Sequence, residues 1–465
     1  MNIQTMKRKL VGDRNFYRKV LTVTVPIMIQ NGITNFVNML DNIMVGQVGT
    51  EQMSGVAIVN QLLFVFNICI FGAVAGAGIL GAQFFGSGNH DGVRYTFRFK
   101  LYICLALSVL GFLIFGSMGD TLIQLYLHTG SETGDIQATL EYGRQYLAMM
   151  MAGMIPFAVV QCYAGTLRES GETMMPMTAG ITAVLVNLVG NYILIFGKFG
   201  APVLGVQGAA VATVISRFVE LAIIVGWTHR HKEKNPFIVG AYRSLHIPGS
   251  LVRQILSTGM PLLVNEALWS GGMAMITQCY SVRGLAVVAG VNIANTLINV
   301  FNVVFLSLGN AVGIIVGQLL GAGRLEQAKD EDRKIIAFAV FLCFGLGLVM
   351  YVIAPLFPLI YNTNQEVREL AASFMRITAI TMPLHGITCT SYFTLRSGGK
   401  TFITFLFDSV FAWVVVIPIV YGLAYFTGVH VVWVYTACQA TEILKAIVGV
   451  ILVKKGVWIQ KIVTE

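Results

Sequence analysis

Four polar side chains that could bind a cation fall at similar depths in three long apolar segments of the sequence. Asp41 lies five residues before Gly46, where its segment ends, which is roughly 8 Å of helix. Asn191 lies at nearly the same depth in its own segment, and Asn187 is one helical turn deeper on the same face. Thr213 is roughly 12 Å into the next segment. Carboxylate, amide and hydroxyl oxygens suit small hard cations, so we predict a sodium or proton site at these four residues.

Two ionisable residues in the second half of the chain are further candidates for coupling or substrate binding. Glu266 lies five residues after Pro261, near the middle of an apolar segment, and His385 lies eleven residues before Arg396 in another. An ionisable group inside a membrane span is costly and is functional by default. A histidine can also carry protons near neutral pH. We therefore expect His385 to pair with Glu266 or to move protons.

Two more acid–base pairs are spaced three residues apart within apolar segments. They are Arg217 with Glu220, and Glu442 with Lys445. Residues three apart are neighbours on one helix face, so each pair is expected to form an intrahelical ion pair that reduces the cost of burial.

Pro26 and Pro261 occupy equivalent places in two of the segments. Proline removes a backbone donor and kinks a helix. Because Pro26 precedes Asp41 in the same segment, we predict that the two prolines are gating kinks that link ion binding to the shape of a central cavity.

The composition requires that these residues lie within a membrane protein. Hydrophobic residues make up 56% and charged residues 11% of the 465, and the mean hydropathy is +0.74. A soluble chain would carry about twice that charge. Segments of about 20 apolar residues cross a bilayer as helices, and we predict about twelve spans: 18–46, 52–85, 99–118, 138–167, 174–197, 205–228, 255–282, 287–320, 334–358, 368–395, 401–426 and 429–452.

The sequence repeats itself at a shift of 235 residues. Residues 26–88 align with 261–323 without a gap, and 14 of the 40 positions from 49 to 88 are identical. Composition alone would give about three identities. A second stretch, 166–173, aligns with 394–401. Two similar halves of a membrane protein indicate transport, because a site between them can open alternately to either side.

The basic residues predict the orientation of the chain. Although the net charge is +9, 25 of the 31 lysines and arginines fall in alternate segments. Short basic loops stay in the cytoplasm, so both termini are predicted to be cytoplasmic and no nucleic-acid partner is expected. We divide the chain into an N-lobe of six spans (1–229), a basic cytoplasmic connector (230–250) and a C-lobe of six spans (251–465). The two lobes form a parallel repeat.

The sequence contains no nucleotide-binding signature. Gly76, Gly78 and Gly81 have dinucleotide-loop spacing but sit inside an apolar span, where small residues indicate close helix packing. No nucleophile–base constellation or metal cluster is visible. We therefore expect neither an enzyme nor an ATP-driven pump, no organic cofactor, and energy from an ion gradient.

The order and duplication of several motifs resemble the multidrug and toxic compound extrusion (MATE) family over nearly the whole chain. The motifs are Pro26, Leu40-Asp41-Asn42-Ile43-Met44-Val45-Gly46, Gln83-x-x-Gly86-x-Gly88, Leu167-Arg168, Asn187-x-x-x-Asn191-Tyr192 and Gly205-Val-x-Gly208-Ala209-Ala210-x-Ala212-Thr213. The resemblance implies an all-α membrane protein with a V-shaped pair of six-helix lobes. It also implies export of organic, often cationic, compounds against inward sodium or protons, and it makes Asp41, Asn187, Asn191 and Thr213 the N-lobe cation site.

These expectations define an antiporter that acts as a monomer in the cytoplasmic membrane and handles small organic cations and multidrug-type compounds. One alternative is a flippase for lipid-linked precursors, which would favour a basic cavity, whereas the intramembrane charges here are mostly acidic. Another is a channel, which would need a polar stripe along a helix that the sequence does not show.

Overall fold

The computed structural model describes residues 10–127, 136–361 and 363–463, and over these ranges the chain is helical with no strand. The helices are α1 (Arg14–Gly46), α2 (Thr50–Gly86), α3 (His90–Leu127), α4 (Ile136–Met151), α5 (Met154–Glu169), α6 (Met174–Phe196), α7 (Val206–Arg230), α8 (Gly249–Ser281), α9 (Leu285–Gly321), α10 (Leu325–Ile353), α11 (Gln365–Ser397), α12 (Thr401–Phe405), α13 (Ile417–Phe426) and α14 (Val431–Lys455). Short 3-10 turns lie at Lys198–Gly200, Pro236–Ile238 and Phe357–Ile360.

Every predicted span corresponds to a helical segment, and the all-α membrane fold is confirmed. Within the described residues, nine helical segments are long and apolar enough to cross a bilayer, and ten if α4 and α5 count as one broken span. The other two predicted spans are α8 and α11. Each is 33 residues long, but they also carry many of the charged and polar residues discussed below, which lowers their hydropathy.

Two of the predicted spans are not continuous α-helices. The fourth is broken between α4 and α5, which meet at a bend of 47°. Pro156 lies in the first turn of α5, where its ring would clash with a continuous helix. The eleventh span contains two π-helical turns, Leu406–Val410 and Ala412–Val416, just before Pro418 in α13.

The described residues group into two compact units. The C unit contains those of Met1–Met28, Ala82–Asn89 and Met260–Glu465, and the N unit contains those of Ile29–Gly81 and His90–Gly259. The division falls two residues after Pro26 in α1 and one residue before Pro261 in α8. Each of these two helices therefore changes unit beside its proline. The lobes predicted from the repeat divide the chain differently, because they follow sequence order and not packing.

The repeated glycines of α2 and α9 allow the ends of these helices to touch. A Cβ on Gly86 would lie 1.9 Å from the carbonyl oxygen of Gln318, and a Cβ on Gly321 would lie 1.9 Å from that of Gln83. The two contacts are equivalent under the 235-residue repeat. The motif Gln-x-x-Gly-x-Gly is thus explained by a backbone crossing at which a side chain has no room.

The same glutamine of α2 holds the C-terminal segment of the chain. The side chain of Gln83 is fully buried, donates to the carbonyl of Ser397 at 3.0 Å and accepts from the amide of Ile462 at 2.9 Å. Trp458 in this segment is 1% exposed. Residues 456–463 are therefore packed as part of the C unit.

We expect Gly86→Ala and Gly321→Ala to destabilise the protein, because each new methyl group would push two backbones apart. Overpacking of this kind costs about 1–3 kcal/mol or more. The matched control is Gly345→Ala within α10, where a Cβ meets nothing within 4 Å and where alanine favours the helix by about 0.5–1 kcal/mol. Thermal unfolding in detergent micelles measures the difference, and equal unfolding temperatures for all three variants would refute the crossing.

Candidate functional site

The structure brings together the four residues of the predicted N-lobe cation site. Asp41 comes from α1, Asn187 and Asn191 from α6, and Thr213 from α7. The Asn191 amide donates to Asp41 Oδ1 at 2.7 Å. The Asn187 amide is satisfied at both ends when its nitrogen donates to Asp41 Oδ2 at 2.8 Å and its oxygen accepts from Thr213 Oγ1 at 3.0 Å. One carboxylate therefore lies at the centre of hydrogen bonds from two amides.

Small residues allow α6 and α7 to approach closely beside this cluster. A Cβ on Gly208 would lie 2.6 Å from the carbonyl of Leu194, and a Cβ on Gly190 would lie 2.9 Å from Cβ of Ala212. Such contacts are typical of helix interfaces in membranes. The close approach places Thr213 within reach of Asn187 and buries both asparagines, which are 6% and 1% exposed at positions 187 and 191.

The cluster retains unused capacity to bind a cation. The side-chain oxygen of Asn191 is buried and has no hydrogen-bond partner, and no lysine or arginine of the described chain lies within ion-pair distance of Asp41. An unsatisfied buried oxygen costs about 1–3 kcal/mol. These oxygens fit a sodium ion by their chemistry. In this structure, however, the amide nitrogens face Asp41, so the asparagines would have to rotate to offer their oxygens.

Arg217 and Glu220 attract each other electrostatically, but they form no ion pair within 4 Å, so the predicted direct contact was wrong. Among the described residues no contact within 4 Å joins them. The Arg217 guanidinium instead lies 4.5 Å from the ring centroid of Phe157. Helical spacing made a contact possible, but an aromatic face on α5 provides a competing cation–π partner.

A buried ion pair in the N unit was missed by the sequence reasoning. Lys100 is fully buried in α3, and its Nζ lies 2.6 Å from Oε1 of Glu169 on α5 and 3.2 Å from Oγ1 of Thr166. Lys100 lies at the start of the predicted span 99–118, and its partner lies on a different helix. A Cβ on Gly78 or Gly81 would lie within 2.7 Å of the Glu169 carboxylate. The spacing of these glycines could have indicated a buried charge, since it makes room for a carboxylate between α2 and α5.

In the C unit, Glu266 and His385 are not brought together, so the predicted pairing was wrong. Glu266 forms no ion pair within 4 Å among the described residues, although Arg396 on α11 attracts it electrostatically. His385 faces α14, where its Nε2 lies 3.1 Å from Oε1 of Gln439 and its Nδ1 lies 3.7 Å from Oε2 of Glu442.

The predicted pair of Glu442 and Lys445 was also wrong, because Lys445 binds a carboxylate on another segment. Its Nζ lies 2.6 Å from Oδ1 of Asp408, in the first π-helical turn between α12 and α13. Asn265 of α8 donates to the other Asp408 oxygen at 3.1 Å. Helix-face spacing cannot reveal such a partner, which depends on how α8, α14 and the π-helical turn pack.

The two gating prolines are both inside long helices, as the sequence predicts. Pro26 is buried in α1, and Pro261 is half-buried in α8. Each leaves one carbonyl of the preceding turn without its helical donor. Both lie beside the residues at which the chain passes from one compact unit to the other, and their role in gating stays a prediction.

The sequence matches a known family of membrane proteins over most of its length. The MatE family model matches residues 26–193 and 261–421, which together exceed two thirds of the chain. The chain therefore belongs to the MatE family and is an integral membrane transporter of that family. The two matched segments begin 235 residues apart, as the repeat does.

The similar proteins cover almost all of the chain. It is 24% identical over 447 residues to the probable multidrug resistance protein NorM of Thermotoga maritima, covering 95% of this chain and 93% of that one. It is 26% identical over 456 residues to the probable multidrug resistance protein YoeA of Bacillus subtilis, covering 95% and 96%. A structure described as the outward-facing conformation of a multidrug resistance MATE family transporter matches with a TM-score of 0.85 at 19% identity, covering 96% and 97%.

We expect Lys445→Met to be more damaging than Lys445→Met combined with Asp408→Asn. The single variant leaves a buried carboxylate without its cation, which costs about 3–5 kcal/mol, whereas the double variant removes both charges. Unfolding of the purified protein in detergent, followed by tryptophan fluorescence, measures the difference. A double variant no more stable than the single one would show that the two side chains are not coupled.

Proposed function

We propose that the protein exports organic compounds, chiefly multidrug-type cations, across the cytoplasmic membrane in exchange for sodium ions or protons. Two observations support the proposal. Relatives that match nearly the full chain are named multidrug resistance proteins. The carrying observation is the Asp41 cluster, a half-buried carboxylate that accepts hydrogen bonds from two asparagines and has no lysine or arginine within ion-pair distance among the residues that the structure describes.

Asp41 suits a coupling role because its negative charge lies inside a span, where it has to be stabilised or neutralised. An ionised carboxylate in a membrane span is stable only with a partner. In the observed arrangement, the two amide donors stabilise the ionised form. Uptake of a proton would remove that charge, and a sodium ion would be held by the carboxylate with the oxygens of Asn187, Asn191 and Thr213. Both alternatives change how the end of α1 is held against α6.

The repeat supports export by alternating access. The position equivalent to Asp41 in the C-terminal half is Ile276. The two halves therefore share the repeated helix pattern but not this candidate cation site. Binding at Asp41 would therefore act on one half of the repeat. Pro26 lies fifteen residues before Asp41 in α1. Movement of the C-terminal end of α1 on cation binding could therefore alter the kink angle at Pro26.

The topology follows from the charge distribution. We propose that both termini lie in the cytoplasm and that the protein works as a monomer surrounded by lipid, with basic segments such as 230–250 on the cytoplasmic side.

The direct test is efflux of a fluorescent organic cation from cells that contain the protein, under an imposed sodium gradient and, separately, an imposed proton gradient. We expect one gradient to drive efflux in the wild type. Asp41→Asn should reduce efflux to the level of cells without the protein, because the neutral amide neither takes up a proton nor attracts sodium. Asp120→Asn is the matched control, since Asp120 is 54% exposed near the end of α3.

Each other outcome is informative. Efflux that survives in Asp41→Asn would place the coupling carboxylate elsewhere, with Glu266 the next to test. If neither gradient moves an organic cation in the wild type, the export proposal fails. A flippase for lipid-linked precursors then becomes the function to test.

The hinge role of Pro26 has its own test. We expect Pro26→Ala to restore a backbone hydrogen bond in α1, stiffen the helix and slow gradient-driven efflux while the protein stays folded. Pro176→Ala is the matched control, because Pro176 lies in the first turn of α6, where a proline removes no helical hydrogen bond. Unchanged transport and ion coupling in Pro26→Ala would refute the hinge.

A further inference from the structure

An open apolar groove lies on the surface of the N unit. It has a volume of about 600 Å³, and its walls include Leu101 of α3, Tyr163 of α5, Phe218 and Gly226 of α7, and Tyr242 of the connector 230–250. Phe218 and Gly226 are eight residues apart, which is about 12 Å of helix. The hydrocarbon of one bilayer leaflet is about 15 Å deep. The groove is therefore long enough to hold much of one acyl chain.

One end of the groove is polar, because three aromatic side chains bring their polar atoms together there. The hydroxyl of Tyr163 is hydrogen-bonded to the hydroxyl of Tyr242 and lies 3.1 Å from Nε2 of His229. The rings of His229 and Tyr242 are stacked, with centroids 5.9 Å apart. His229 lies three residues after Gly226, at the end of α7. Tyrosines are typical of the depth at which a span meets water.

A buried arginine fixes the connector at this polar end. Arg98 of α3 is 5% exposed. Its guanidinium donates at 2.7–3.0 Å to three carbonyls of the connector, those of Gly240, Ala241 and His246. Phe237 of the connector is also buried, at 2% exposed. The segment that contributes Tyr242 to the groove is therefore held in place by the N unit itself.

Exposed basic side chains lie beside the polar end of the groove. Within the described ranges, no ion pair within 4 Å involves Arg230, Lys232 or Arg243. Lys232 lies within electrostatic range of His229, and Arg243 follows Tyr242 in the chain. Residues 230–250 include four basic residues and one acidic residue, so the connector has a net charge of +3 with its histidines neutral.

We propose that this groove binds an anionic phospholipid, with an acyl chain along α7 and the phosphate held by Lys232, Arg243 and the Tyr242 hydroxyl. The apolar part would accept the chain of any lipid, but the basic residues favour an anionic head group. The net charge of +3 disfavours an organic cation. A second copy of this chain in the groove would bring two basic connectors together.

The lipid would come from the cytoplasmic leaflet if the proposed topology is correct. Lipid binding itself does not depend on the export proposal, since the groove and its charges belong to the N unit alone. A bound lipid would contact α3, α5, α7 and the connector at once. We therefore expect it to stabilise the folded protein, as any ligand of the native state does.

The test is native mass spectrometry of the full-length protein in detergent, with dioleoylphosphatidylglycerol or dioleoylphosphatidylcholine added. We expect the wild type to retain one phosphatidylglycerol at a concentration about tenfold lower than it needs for phosphatidylcholine. Gly226→Phe should abolish this preference, because a Cβ at Gly226 meets nothing within 4 Å and the new ring has room to fill the groove. Gly116→Phe in α3 is the matched control, since its Cβ is equally free but lies outside the groove.

A second pair of variants tests the head-group site. Lys232→Gln combined with Arg243→Gln should weaken phosphatidylglycerol binding about tenfold and leave phosphatidylcholine binding unchanged. Lys454→Gln combined with Lys455→Gln is the control, because these exposed lysines end α14 in the C unit. If Gly226→Phe does not fold, the charge variants decide by themselves.

Three results would overturn the inference. They are equal retention of the two lipids by the wild type, a preference for phosphatidylglycerol that survives in Lys232→Gln/Arg243→Gln, and a dimer of the wild type that Gly226→Phe dissociates. The last result would assign the groove to a second copy of the chain. Absence of efflux in the wild type would refute the proposed function and leave the lipid measurement readable.

Discussion

The fold depends on one constraint: a charged group inside a membrane span has no water to stabilise it, so the protein has to supply a partner. Two carboxylates meet this demand permanently. Glu169 is bound to Lys100 in the N unit, and Asp408 is bound to Lys445 in the C unit. Asp41 differs, because its partners are uncharged amides, so its charge can still be neutralised by a mobile cation. Among these three carboxylates, two have a lysine within reach, and Asp41 is the one that we propose binds an exchangeable cation.

The repeat shows how one framework can carry different chemistry in its two halves. The crossing of α2 and α9 is symmetric: Gly86 lies against the backbone of Gln318, and Gly321 lies against the backbone of Gln83. The polar positions have diverged. Gln30 corresponds to Asn265 by the 235-residue shift, yet Gln30 accepts from Arg168 at 2.8 Å, whereas Asn265 donates to Asp408. The glycine–backbone contact between the helices is therefore the same in both halves, whereas the polar side chains at equivalent positions differ in their partners.

Much of the fold could be predicted from the sequence, because a long apolar segment indicates a membrane-spanning helix. The depth argument for Asp41 and Asn191 also succeeded, since helical rise converts sequence position directly into depth. The failures share a cause. Lys445 was assigned to Glu442 on its own helix, and its partner is Asp408 on another segment, because residue spacing within one helix does not show which helices pack together. The break between α4 and α5 was also not predicted, although Pro156 lies beside it.

The most direct test of the account is whether an organic cation displaces a coupling cation from the Asp41 cluster. Ethidium can be added to the purified protein in weakly buffered detergent solution, with released protons followed by an indicator dye and released sodium by isotope. The account predicts that the wild type releases protons or sodium as ethidium binds, and that Asp41→Asn releases a single cation fewer per molecule. Equal release from the two proteins would contradict the assignment of Asp41 as the exchangeable charge.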